Sequence, residues 1–137
     1  MVKVSRWKDF ERRIARRFGG ARVIRPDWGR SNIDVTGSGF LIECKYREKF
    51  NVEKALVQAE ETAKRLGLEG IPLAVCQKPG RNTTFVAFRF RSLGVLGLVT
   101  SWRYDLSDEV TVMTLDSFLG LMRAGGVLDA GEDDKAE

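Results

Sequence analysis

The chain has 137 residues, of which 43% are hydrophobic and 31% charged, and its formal net charge is +4. This length predicts one domain with its own core over residues 1–126, followed by an acidic, disordered tail over 127–137. The absence of histidine excludes hydrolytic sites built on a histidine base and most zinc sites. No apolar run reaches the roughly 18 residues of a membrane span. We therefore expect a soluble, cytoplasmic protein with no membrane partner.

Charge and cysteine are unevenly placed along the chain. Residues 1–50 hold 13 Lys and Arg against 6 Asp and Glu, whereas residues 131–137 hold 1 against 4. A basic N-terminal part suits a polyanion such as DNA, although a basic helix face that only aids solubility is the alternative. The two cysteines, Cys44 and Cys76, lie in apolar runs and are predicted to be reduced core thiols.

The first predicted helix runs from Arg6 to Phe18, with Ser5 as its N-cap. Helical spacing predicts a buried face made of Trp7, Phe10, Ile14 and Phe18. Glu11 falls on this face, where a carboxylate is costly unless it is paired or close to a metal. The other side carries four arginines that either contact phosphates or are simply solvated: Arg12, Arg13, Arg16 and Arg17.

A strand predicted over residues 21–25 and a loop over 26–32 lead into a β-hairpin. The strand end and loop offer two candidate phosphate contacts, Arg25 and Arg30. The hairpin consists of a β-branched run over 33–36, a Gly37-Ser38-Gly39 turn and an apolar run over 40–44. A two-residue turn at Ser38-Gly39 gives four pairs: Gly37 with Phe40, Thr36 with Leu41, Val35 with Ile42, and Asp34 with Glu43.

This register puts Asp34, Glu43 and Lys45 on one face of the hairpin. Two carboxylates so close repel each other unless a cation lies between them, and a hard divalent ion such as Mg²⁺ meets that need. A lysine beside the ion can hold or polarise a water. The alternative is an ordinary surface ion pair, which would contribute about 0–1 kcal/mol to stability. This alternative stays open because the spacing of Asp34, Glu43 and Lys45 is a loose pattern.

The remaining elements predict an α/β fold with a mixed β-sheet flanked by helices. An amphipathic helix over 52–66 is closed by Gly67 and has Gln58 at the edge of its apolar face. A strand buried on both faces over 71–77, a turn at 78–80 and a strand over 83–89 follow. A strand over 110–113 and a helix over 116–123 end the domain. The apolar residues of the stretch 92–105 fit the core, a docking surface, or both: Leu93, Val95, Leu96, Leu98 and Val99.

In this order the elements resemble the PD-(D/E)XK nuclease superfamily, which has a restriction-endonuclease-like core. Within it the chain is most similar to the archaeal-type Holliday-junction resolvases, over roughly residues 5–90. The likeness rests on motifs in sequence order: Glu11-Arg12, Arg25, Ser31 before Asp34, Glu43-x-Lys45, Gln58-Ala59-Glu60 and Lys78-Pro79-Gly80. The part after residue 90 shows no match to the family.

The resemblance implies that Asp34, Glu43 and the carbonyl of Cys44 hold Mg²⁺, for which Mn²⁺ would substitute. Lys45 would orient or activate the attacking water, and Glu11 would bind a second ion or a water on the metal. Residues on both helices and in the loops would hold DNA: Arg12, Arg13, Arg25, Arg30, Ser31, Gln58 and Lys78.

We therefore expect a metal-dependent endonuclease that resolves four-way DNA junctions by paired, symmetric nicks. One chain carries one Asp34/Glu43/Lys45 set, and two opposed cuts need two sets, so a two-fold homodimer is predicted. The stretch from Leu93 to Val99 and Trp102 are the leading candidates for its contact surface. The alternatives are a nuclease of the same superfamily that acts on another DNA form, and a non-catalytic DNA-binding module of the same fold.

Overall fold

The computed structural model describes residues 6–23, 33–99 and 107–129. Within these ranges the chain forms helices and strands in the following order: α1 (Arg6–Arg17), β1 (Ala21–Arg22), β2 (Val35–Gly37), β3 (Phe40–Tyr46), α2 (Val52–Leu66), β4 (Ile71–Gln77), β5 (Phe85–Arg89), α3 (Arg91–Val95), β6 (Val110–Thr114) and α4 (Leu115–Ala124). The described part of the chain has no helix that is both long and apolar enough to cross a bilayer.

The strands form one mixed sheet in the order β1-β2-β3-β4-β5-β6. Strands β3 and β4 are parallel, and α2 supplies the crossover between them. The other neighbouring strands are antiparallel. The predicted α/β class, with a mixed sheet flanked by helices, is therefore confirmed.

The β2–β3 hairpin has the predicted register up to its last ladder pair. Val35 pairs with Ile42 and Thr36 with Leu41, and the turn residues Ser38 and Gly39 have φ values of 53° and 86°. Two-residue hairpin turns that match the twist of the strands require positive φ at both central residues. The predicted pair of Asp34 with Glu43 does not form, because the Asp34 N–H donates to the Ile42 carbonyl at 2.7 Å. Strand β3 continues to Tyr46, past Val35, the first residue of β2.

Helix α2 has the predicted bounds because both of its ends carry specific caps. The Asn51 side-chain oxygen accepts from the Lys54 N–H at 2.9 Å, and Gly67 closes the helix with a φ of 65°. The other bounds differ slightly from prediction: α1 ends one residue earlier, β5 begins two residues later, and β6 and α4 are longer. Strand β1 covers two of its five predicted residues, and the last two of the five lie outside the described ranges.

The core lies on both faces of the sheet. On the α1 and α4 side, Phe40 packs edge-on against Phe18 and Phe118, with ring centroids 5.5 and 5.8 Å apart. The face covered by α2 is lined by smaller residues: Ala55, Leu56, Ala74, Cys76 and Ala87. Alternate residues of β4 belong to the two sides, which confirms the strand predicted to be buried on both faces. Cys44 and Cys76 are both free thiols, as predicted.

The prediction for Trp7 needs correction, and the apolar residues of the stretch 92–105, which the sequence left open, divide into exposed and packed ones. Trp7 is 50% exposed, because the first turn of α1 lies against a charged cavity instead of the core. Val95 is 74% exposed, but the other apolar residues of its stretch pack with the main core: Leu93, Leu96, Leu98 and Val99. Leu93 is buried and the other three are partly buried against the core, which favours the core interpretation for these four residues. Trp102 lies outside the described residues.

The boundary predicted at residue 127 is wrong at its first two positions. Val127 and Leu128 pack against the main core, and the Val127 N–H donates to the Met122 carbonyl at 2.8 Å. Two apolar side chains just after a helix thus extend the folded unit past Gly125-Gly126. Residues 130–137 of the predicted tail lie outside the described ranges.

Candidate active site

The four residues predicted to be catalytic meet at the open end of the β2–β3 hairpin. Here β3 continues past the last ladder pair, and the N-terminal half of α1 lies across the gap. The result is a cavity of about 370 Å³, which we call the carboxylate cavity. Its lining comes from α1 and from the open ends of the two strands: Trp7, Glu11, Asp34, Glu43, Cys44, Lys45, Tyr46 and Arg47.

Asp34 replaces a missing backbone partner of β3. The Cys44 N–H donates to the Asp34 Oδ2 at 2.8 Å, at a point where β2 no longer pairs with β3. A backbone N–H that would otherwise lack a partner is satisfied, and the carboxylate is held in one orientation. The hydrogen bond from Cys44 therefore holds the Asp34 carboxylate beside Glu43, although Asp34 and Glu43 are not paired through their backbones.

Glu43 is a deeply buried carboxylate whose environment is unfavourable to its charge. Its side chain is 4% exposed, and its Oε2 atom finds no hydrogen-bond donor among the described residues. The Nζ atom of Lys45 lies 3.6 Å from this oxygen. Burial, and then the neighbouring Asp34, raise the pKa of Glu43 to about 9. Burial and Asp34 thus favour the uncharged form of this carboxyl, and a divalent ion bound beside it would favour the charged form.

Glu11 lies on the buried face of α1, as predicted, and it has a partner that sequence reasoning missed. Arg22, at the end of β1, donates from its Nε to the Glu11 Oε1 at 2.9 Å. Burial, and then Asp34, raise the pKa of Glu11, while Arg22 opposes that shift. The guanidinium of Arg22 also lies 5.9 Å from the ring centre of Trp7. The pairing links α1 to β1, so it could be recognised only once the fold was known.

The donor set fits a hard divalent ion. In the described ranges no three His, Cys, Asp or Glu side chains are arranged as a ready-made metal cluster. The expected ligands are instead two carboxylates, Asp34 and Glu43, and one backbone carbonyl, that of Cys44. Such a set suits Mg²⁺, which takes oxygen ligands, uses one or two carboxylates and keeps several waters. The buried Glu43 Oε2, which accepts no hydrogen bond from the described residues, is the atom whose charge a divalent ion would compensate.

The predicted DNA-binding residues are not all in one place. Arg12 is exposed and pairs with Asp9 at 2.8 Å. Arg13 donates to the Oε1 of Gln77 at 2.7 Å and lines a separate polar cavity of about 600 Å³. Lys78 is exposed in the turn after β4 and lines neither the polar cavity nor the carboxylate cavity. Arg25, Arg30 and Ser31 lie outside the described residues.

Gln58 lines a third cavity, of about 330 Å³, which we call the basic cavity. Its lining runs from the end of β3 to the second turn of α2: Lys45, Arg47, Lys49, Phe50, Asn51, Lys54, Ala55 and Gln58. Sequence reasoning did not identify Arg47, Lys49 and Lys54 as a site. The one available signal was the polar and basic composition between Tyr46 and Asn51.

Comparisons with protein-family models, with curated proteins and with solved structures find no match to this chain. The nuclease resemblance therefore stays a prediction from sequence motifs.

Proposed function

We propose that this protein is a metal-dependent, structure-selective DNA endonuclease with a PD-(D/E)XK site, and that it resolves four-way junctions. The observation that carries the proposal is the convergence of Glu11, Asp34, Glu43 and Lys45 on one cavity. An ordinary surface ion pair would leave these side chains solvated, whereas here Glu43 is buried beside a second carboxylate. Burying two carboxylates together costs stability unless the site binds a cation.

The proposed chemistry is hydrolysis of one phosphodiester bond. Asp34, Glu43 and the Cys44 carbonyl would hold Mg²⁺, which when bound supplies Lewis-acid activation of the phosphate and of a water. Lys45, whose Nζ is 3.6 Å from Glu43, would orient the attacking water and stabilise the negative charge that develops on the phosphate oxygens. The water oxygen forms a bond to phosphorus and loses a proton to solvent, while the bond from phosphorus to the leaving oxygen breaks and that oxygen takes up a proton from solvent. The Cys44 N–H positions Asp34 for this work by its hydrogen bond.

Two opposed cuts need two copies of the site, so the proposal includes a two-fold homodimer. Because the residues from Leu93 to Val99 are largely committed to the core, we place the contact between chains elsewhere on the surface. Mixing wild-type chain with an excess of Asp34→Asn chain tests this point. A dimer with one active site per chain should then give single nicks in place of paired cuts.

The direct test is cleavage of a synthetic four-way junction beside a linear duplex of the same sequence. Wild-type protein should cut the junction with Mg²⁺ and should not cut it in EDTA. Asp34→Asn should abolish cutting, while the same change at the exposed Asp129 should leave it intact. Equal rates on linear duplex and junction would leave a nuclease but end the resolvase assignment. Robust cutting by Asp34→Asn would contradict the active site itself.

A further inference from the structure

We propose that the basic cavity is a second phosphate subsite, which binds the DNA backbone phosphate next to the one that is cleaved. The identity of the ligand rests on the proposed nuclease function. The capacity to bind a phosphate group does not, because it follows from the side chains that line the cavity.

The lining of the basic cavity is cationic. Lys45, Arg47, Lys49 and Lys54 all contribute to it, and no Asp or Glu is among its described lining residues. The carboxylate cavity, by contrast, combines three carboxylates with Lys45 and Arg47. Lys45 has Glu43 3.6 Å away on the side of the carboxylate cavity. The like charges of Arg47, Lys49 and Lys54 repel one another, and an anion relieves that repulsion. Ammonium and guanidinium groups together are the usual ligands of a backbone phosphate.

Helix α2 presents one face of its N-terminal half to the basic cavity. Asn51, Lys54, Ala55 and Gln58 follow the i, i+3, i+4, i+7 spacing of a single helix face, and all four line the cavity. The helix is 15 residues long, and its N-terminal end carries the positive end of the helix dipole. The dipole adds to the side-chain charges and favours an anion in the same place.

Gln58 adds an observation that is independent of charge. It lines the basic cavity, and its Oε1 atom is buried without a hydrogen-bond partner among the described residues. A side-chain amide carries an NH₂ donor beside its acceptor oxygen, and the two ends can exchange by a flip. In the flipped orientation the NH₂ group takes the place of this oxygen and can donate to a phosphate oxygen in the cavity, whereas the unflipped Oε1 only accepts.

The position of the basic cavity identifies which phosphate it would take. Lys45 and Arg47 line both cavities, so the two sites adjoin at the end of β3. A phosphodiester chain whose scissile phosphate lies at the carboxylates must continue past these two side chains. The neighbouring phosphate on the same strand would thus lie over α2, against Lys49 and Lys54.

Phosphate binding can be measured without DNA, by titrating the metal-free protein with inorganic phosphate and following its ¹H–¹⁵N NMR spectrum. The expected shifts are at the Gln58 side-chain amide and the backbone amides of residues 51–55. The double variant Lys49→Ala/Lys54→Ala should weaken binding at least about fivefold, since charge-assisted hydrogen bonds are lost. The control Lys64→Ala/Arg65→Ala removes the same charge from the exposed last turn of α2 and should leave binding unchanged. Gln58→Glu should abolish the shifts, while Gln58→Met should only weaken them.

DNA binding in EDTA then separates this inference from the proposed function. For Lys49→Ala/Lys54→Ala the plot of log affinity against log salt should become shallower. The magnitude of its slope should decrease by about 0.9, the value for one lost phosphate contact on duplex DNA. The control double variant should keep the wild-type slope. If the wild-type protein cuts DNA but the two double variants have equal slopes, the phosphate subsite is contradicted and the nuclease proposal stands. Phosphate shifts that are absent, or that both double variants weaken equally, would also overturn it. Phosphate binding at α2 in a protein that cuts no DNA would support the subsite and contradict the nuclease.

Discussion

The two ends of the β2–β3 hairpin serve opposite purposes. At the closed end, Ser38 and Gly39 form the turn, and Phe40 is buried against the rings of Phe18 and Phe118. At the open end, Asp34 and Glu43 bring two carboxylates together beside Lys45. One end is held by apolar packing, whereas the other contains a buried carboxyl whose pKa is raised to about 9.

Close backbone packing distinguishes the closed end further. A Cβ atom on Gly20 would lie 1.9 Å from the Thr36 carbonyl oxygen, and one on Gly37 would lie 2.7 Å from the Gly20 Cα. Only glycine permits so close a contact between the end of α1 and the hairpin. The closed end of the hairpin is thus tightly packed, whereas the open end, a few residues away, contains acidic side chains whose burial costs stability.

The largest effect on stability should come from the closed end. Phe40→Ala removes a fully buried ring from an aromatic cluster and should lower the free energy of unfolding by about 3–5 kcal/mol. Phe85→Ala is the control, because that ring is 38% exposed and its loss should cost much less. Urea denaturation of both variants measures the difference. Equal losses would mean that the aromatic cluster does not hold this end.

Gly20→Ala should cost about 2–3 kcal/mol, because the new methyl group forces the backbone of α1 and β2 apart. Gly120→Ala is a matched control inside α4, where an added Cβ meets nothing within 4 Å. It should be neutral or stabilising by up to about 1 kcal/mol, since alanine favours the helix. Thermal or urea unfolding of the pair checks the contrast, and a neutral Gly20→Ala would contradict the close approach.

At the open end, a substitution should instead stabilise the metal-free protein. The pKa of Glu43 is raised from 4.5 to about 9 in the folded state, so folding favours its protonated form. The contribution of this group is fully present below pH 4.5 and is lost as the pH rises through about 9. Glu43→Gln removes that loss and should be more stable than wild type by about 1–3 kcal/mol at alkaline pH.

Urea unfolding in EDTA at a mildly acidic and an alkaline pH measures this effect. The difference between Glu43→Gln and wild type should grow as the pH rises. Some pH dependence should persist in the variant, because the pKa of Glu11 is also raised. A variant that is less stable than wild type at alkaline pH would show that the buried carboxylate is compensated within the metal-free fold.

The smallest effect on stability should come from Lys45→Met. The lysine side chain is 15% exposed and lies 3.6 Å from Glu43, so its loss removes one weak attraction and keeps the aliphatic stem. Because the raised pKa of Glu43 favours its uncharged form, the lost attraction is comparable to one neutral hydrogen bond, about 1 kcal/mol of the free energy of unfolding. Cleavage of the four-way junction should nevertheless be lost. Lys64→Met, in the exposed last turn of α2, should change neither quantity.

The parts of the fold that the sequence predicts well are those set by local rules. The hairpin register follows from the Ser38-Gly39 turn, and α2 follows from its apolar spacing and Gly67. Strand β4 follows from a continuous apolar run. In each case neighbouring residues determine the backbone, so pattern and structure agree.

What the sequence could not predict depends on contacts between distant residues. The Glu11–Arg22 pair and the assembly of Arg47, Lys49 and Lys54 into one cavity exist only in the folded chain. Trp7 shows the limit of helical spacing, which identifies an apolar stripe but not where the opposing surface ends. The same limit applies to Val127 and Leu128, whose packing follows the turn after α4.

The most direct test of the central claim is to locate a divalent ion with Mn²⁺, which broadens the NMR signals of nearby nuclei. In wild-type protein, low Mn²⁺ should broaden the backbone amides of Asp34, Glu43, Cys44 and Lys45 most strongly, and the broadening should weaken along β3 towards Phe40. Excess Mg²⁺ should restore the signals, and Asp34→Asn should abolish the broadening without unfolding the protein. A broadening maximum elsewhere, or equal broadening in Asp34→Asn, would contradict a metal site at the open end of the hairpin.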